Sequence, residues 1–64
     1  MANIEETIQK MTLAGAGNAR SVPDGSQFKI EVKRGGVWQP VISGITESDA
    51  NDMLKRAANR TILG

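Results

Sequence analysis

Between Gln27 and Lys33 the chain changes character at every residue. Phe28, Ile30 and Val32 alternate with Gln27, Lys29, Glu31 and Lys33. A repeat of two puts the apolar residues on one side of an extended chain, so this segment is a half-buried strand. Arg34-Gly35-Gly36 then reads as a turn, and Val37 to Ile42 as a second apolar run, which makes a β-hairpin. Two registers compete. A two-residue turn at Gly35-Gly36 pairs Val32 with Gln39. A three-residue loop pairs Val32 with Trp38, Ile30 with Pro40 and Phe28 with Ile42, and it gathers the apolar residues on one face. It also places Pro40, which has no N–H, at a position that needs none. The three-residue loop is therefore expected, with Trp38 and Phe28 on the core face. Pro40 disfavours a further strand beyond Val37–Ile42, which makes that strand an edge. Asn18 to Val22 is a weaker candidate for a third short strand, on the free side of the first. Val22-Pro23-Asp24-Gly25 reads as a type I turn.

Helices flank the hairpin. Asn3 is placed to cap the first, with Glu6 three residues on, and Ile4, Ile8 and Met11 recur at helical spacing with Leu13 close by. The helix is expected over about residues 4–13 and ends at Gly15 or Gly17. Thr46 is the N-cap of the second helix, with Asp49 three residues on. Ala50, Met53, Leu54, Ala57 and Ala58 form its apolar stripe. That helix is expected from Glu47 to Arg60, followed by an apolar tail, Thr61-Ile62-Leu63-Gly64. Leu54, in mid-stripe, is expected to be core, so that its truncation to Ala largely unfolds the domain. The fold class that results is α+β: a small single domain over residues 1–64, α-β-β-α, its antiparallel hairpin and a possible third short strand packed against two helices.

Composition narrows the chemistry. The chain has 64 residues with no Cys and no His. The absence removes disulfides, thiolate and imidazole metal sites, and the commonest general bases and nucleophiles. The paired acids Glu5/Glu6 and Glu47/Asp49 lie in first helical turns, where they complement the helix dipole rather than form a catalytic pair. Gly15-Ala16-Gly17 follows a helix, whereas a dinucleotide fingerprint follows a strand and opens a helix. No enzyme activity, cofactor or metal is expected. A formal net charge of +1, from 8 basic and 7 acidic residues, makes no bulk case for a polyanion or an anionic membrane. No basic segment leads into an apolar run, and no stretch is apolar enough to span a bilayer. A cytoplasmic protein is the expectation.

A core this thin usually needs a further support, and with disulfides and metals excluded the remaining one is self-association. Trp38 and the apolar residues Ile62 and Leu63 are the candidate contacts for a partner protein or a second copy. The basic residues give a second reading. Lys29, Lys33 and Arg34 on the hairpin, and Lys55, Arg56 and Arg60 on the second helix, are candidate contacts to nucleic acid. The two groups are expected on opposite faces, as separate patches. Arg20, beside the glycine-rich loop, is the candidate for a small-anion or nucleotide site between subunits. In style the chain resembles small accessory proteins of phages and plasmids: a tiny domain with a hairpin and a following helix, without Cys or His. The expected function is a non-enzymatic, oligomeric protein-binding module that acts by occupying a partner's surface through its strand edges, Trp38 and the apolar tail.

Overall fold

The computed structural model describes the backbone of residues 4–63 and the side chains of all of these except 16 and 61–63. The elements run α1 (Ile4–Ala14), one 3-10 turn (Ala16–Asn18), β1 (Ala19–Asp24), β2 (Gln27–Arg34), β3 (Val37–Ile45) and α2 (Glu47–Leu63). The three strands form one antiparallel sheet in the order β1-β2-β3. The fold class is the α+β arrangement that the sequence implies, with the optional third strand present.

The first helix ends at Gly15, whose φ of 99° suits a residue without a Cβ. Its N–H donates to the carbonyls of Met11 and Thr12 at 3.1 and 3.2 Å. The Asn18 side chain donates to the Ala14 carbonyl at 2.8 Å, so a side chain satisfies one of the carbonyls that every helix end leaves open. The expected cap at Asn3 lies outside the described residues. At the start of α2, the Asp49 N–H donates to the Thr46 hydroxyl at 3.1 Å, and the Thr46 carbonyl accepts the first helical bond from Ala50 at 2.9 Å. This is the N-cap the sequence implies. The helix does not stop at Arg60, however. Residues 61–63 continue it. No Gly or Pro precedes Gly64 to break the turn, so the expected tail is helical.

Two turn assignments are corrected. Val22, Pro23 and Asp24 are not a turn but the second half of β1, and the chain reverses at Gly25-Ser26. Counting back from that turn, Pro23 opposite Phe28 is a non-hydrogen-bonded pair. Its missing N–H costs the ladder nothing and removes a donor from an open edge. The β2–β3 hairpin uses the two-residue turn. Gly35 and Gly36 have φ of 58° and 78°, and positive φ at both central residues is what a type I′ turn requires. The register is accordingly Arg34 with Val37, Lys33 with Trp38, Val32 with Gln39 and Glu31 with Pro40. The expected pairs of Val32 with Trp38, Ile30 with Pro40 and Phe28 with Ile42 do not form.

The apolar residues still gather on one face, by a different device. The register shifts between Glu31 and Ile30 and again between Ile30 and Phe28, so that Ile30 meets Ile42 and Phe28 meets Ile45. Each shift is an extra residue on β3. The second contains Gly44, with φ 71°, the left-handed glycine that a bulge of this kind favours.

Both helices cover the sheet face that carries Ile30 and Val32. The core joins Ile8 and Met11 of α1, Ile30 and Val32 of β2, Ile45 of β3, and Ala50, Met53 and Ala57 of α2. Phe28, Val41, Ile42 and Leu54 are partly buried around it. Leu54 is thus at the margin of the core, and Leu13, at 83% exposure, is outside it. Among the described residues, no helix lies on the opposite sheet face.

Candidate binding surface

Strand alternation decides what the uncovered face presents. With Ile30 and Val32 turned to the helices, Lys29, Glu31 and Lys33 of β2 point the other way. The register adds Arg20 and Val22 from β1, opposite Glu31 and Lys29, and Trp38 and Pro40 from β3, opposite Lys33 and Glu31. Trp38 therefore does not belong to the core face. The choice of turn moved it: a one-residue change of loop length sends the side chains of the return strand to the other side, here as far as the first bulge beyond Pro40.

These residues are organised, not scattered. Arg20 lies across the sheet from β1 towards β3, its guanidinium 4.0 Å from the centroid of the Trp38 ring. On the way it donates from Nε, at 2.9 Å, and from a terminal nitrogen, at 2.8 Å, to the same Glu31 carboxylate oxygen. The other Glu31 oxygen is 3.8 Å from the Lys29 ammonium. The Glu31 side chain is only 12% exposed, held under the cations on either side. A cation over an aromatic face is worth about 0.5–1 kcal/mol at such a site, and an exposed ion pair about 0–1 kcal/mol. The cluster adds little to stability. Its effect is to fix the rotamers of a Trp and an Arg on an open surface.

The other candidate residues are dispersed. Arg34 is at the end of β2 beside the turn, exposed and paired with Val37. On α2, Arg56 is bound to Asp52 at 2.9 Å, four residues earlier, and Arg60 reaches α1 to bind Glu5 at 2.7 Å. Lys55 is exposed between them. As α2 packs on the inner sheet face, its polar side and the Trp38 face lie on opposite sides of the molecule. Arg20 is not turned to the glycine-rich loop, and in that loop the Gly15 and Asn18 N–H groups are already bonded within the chain. The contacts of the Ile62 and Leu63 side chains lie outside the described residues. An open groove of about 230 Å³ runs between the helices, lined by Gln9, Thr12, Leu13 and Arg60. None of these four is a carboxylate or other ready general base. Among the described residues no group of three or more acidic side chains could hold a metal ion, and no helix is long and apolar enough to cross a membrane.

Sequence reasoning named Arg20, Lys33 and Trp38 separately, for different reasons, and the structure brings them onto one face. It missed Glu31, whose place between Lys29 and Lys33 on the polar side of β2 was the available signal. No family model, curated protein or solved structure matches the chain.

Proposed function

We propose that this protein is a non-enzymatic binding module of the cytoplasm, which engages a partner protein through the uncovered face of its sheet, with Trp38 and Arg20 at the centre. The observation that carries this reading is the Arg20–Trp38 pair, stacked at 4.0 Å on a face that no helix among the described residues covers. Trp and Arg are the residue types that most often dominate binding energy, and they do so best when their side chains are ordered before the partner arrives. The face is built from strands rather than loops, so it meets a partner as a rigid platform. A module of this kind accords with the accessory-protein style of the sequence. Self-association is part of the proposal: β1 and β3 are both sheet edges, available to a second copy.

The nucleic-acid reading keeps one observation in its favour, the placing of Lys29 and Lys33 on the same face as the Trp. Against it, Glu31 sits among those cations and Arg20 occupies a face of the ring on which a base would stack.

The test uses the partner recovered from the native host and then purified. Trp38→Ala should weaken its binding by a factor of about 30 or more, a loss of about 2 kcal/mol, with an unchanged circular dichroism spectrum. Lys55→Ala, on the other side, should leave the affinity alone. The reading fails if Trp38→Ala binds as the parent does.

A further inference from the structure

Within that reading, the charges on the uncovered face define what the partner presents. We infer that the face takes an extended acidic segment of a protein, with carboxylates at alternate residues, laid along β2. The inference rests on the proposal that this face is the binding surface.

Arg20 and Lys29 pair with the carboxylate of Glu31, Lys33 follows it two residues on along the same strand face, and Asp24 is at the far end of β1, beside the Gly25-Ser26 turn. The surroundings of Trp38 are therefore positive although the whole chain is near neutral. The cations stand in a row. Lys29, Glu31 and Lys33 follow one another at alternate residues of β2, and Arg20 places its guanidinium over Glu31. Alternate residues of a strand are spaced about 6.6–6.8 Å apart. An extended peptide with an acid at every second position has the same repeat, so successive carboxylates meet Lys29, Arg20 and Lys33 in turn. Arg20 has capacity for this. Its Nε and one terminal nitrogen are committed to Glu31, while a guanidinium carries five N–H donors in all. The apolar residues of the same peptide, on its other side, need no contact here.

A single strand of nucleic acid also carries a row of anions. It gains its affinity on such platforms largely from bases stacked on aromatic faces. Here the ring face under Arg20 is closed to a base, whereas a carboxylate needs only the cations and the remaining N–H groups of the guanidinium. The observations thus favour the acidic peptide.

The chain's one Trp lies on this face under the Arg20 guanidinium, so its fluorescence reports binding directly. The probe is a short synthetic peptide of alternating Glu and Thr, titrated into the intact protein at low salt, with oligothymidylate and a Lys-Thr peptide in parallel. The Glu-Thr peptide should change Trp38 emission saturably. The change should fade as salt rises from about 0.01 to about 0.15 M and the screening length falls from about 30 to about 8 Å. Lys33→Glu should weaken binding roughly tenfold or more, as a like charge placed across an interface does. Lys55→Glu, the same charge change on the far side, should have little effect. No saturable response up to about 1 mM peptide, equal loss in the two variants, or tighter binding of oligothymidylate would each overturn the inference. If the peptide is silent while Trp38→Ala still weakens binding of the purified partner, the face stands and only its acidic ligand is refuted. If neither depends on Trp38, both fail.

Discussion

Met53→Ala and Leu54→Ala truncate neighbouring side chains of one helix and should differ sharply in effect. Met53 is 1% exposed and belongs to the central cluster with Ile8, Met11, Ile30 and Val32. Leu54 is partly buried at the margin of that cluster, where water and small shifts of neighbours can fill the space a truncation leaves. Complete burial of a Met makes its truncation cost about 2–5 kcal/mol, the transfer term plus the cavity term. A core of this size rarely supplies more than about 3–5 kcal/mol in total. Met53→Ala should therefore be substantially unfolded at 25 °C. Leu54→Ala keeps part of its contact with water in both states and loses less transfer energy, so it should cost about 1–2 kcal/mol, near the centre of the range for point substitutions. It should remain folded and melt cooperatively at a lower temperature. Urea titration followed by far-ultraviolet circular dichroism measures both. A Leu54→Ala variant less stable than Met53→Ala would refute the placing of the core.

Two further substitutions examine local geometry. Thr46→Ala removes the hydroxyl that accepts from the Asp49 N–H and should cost about 1 kcal/mol, read as a lower urea midpoint with an unchanged slope. Gly44→Ala forces a Cβ onto a backbone with φ 71° while leaving it ordinary room beside Gln27. It should therefore cost about 1–2 kcal/mol through the backbone alone, whereas Gly17→Ala, with open space and no positive φ, should not destabilise. Equal stability of the two alanine variants would argue against the second bulge of β3.

The elements were legible because each rests on a local signal. Alternation marked β2, the Thr46 cap marked the start of α2, and the spacing of Ile8 and Met11 marked the buried side of α1. What sequence alone did not yield was the relation between β2 and β3. Both clues used for the register proved compatible with the other turn. Counting back from Gly35-Gly36, Pro40 again falls at a pair that needs no N–H, now opposite Glu31 rather than Ile30. The apolar match was achieved by inserting residues in β3, not by lengthening the turn. Gly44 was the visible trace of that insertion, since a glycine inside an apolar strand often marks a bulge. The error was local, but its consequence was functional. It assigned Trp38 to the core, and so left the basic residues of the hairpin without an aromatic beside them. Leu54 lies at the margin of the core rather than at its centre because helical periodicity gives the direction of a stripe, while the depth of each residue depends on what packs against it.

The position of Trp38 is the point on which the functional account turns. Proton NMR contacts from its indole ring decide it. On the uncovered face, the ring protons should show contacts to Lys33 across the strand and to the side chain of Arg20, whose methylene protons should shift upfield under the ring current. They should show none to the methyl groups of Met11 or Met53. Contacts from the indole to those methionines, with Val32 opposite Trp38 in the hairpin, would contradict the account.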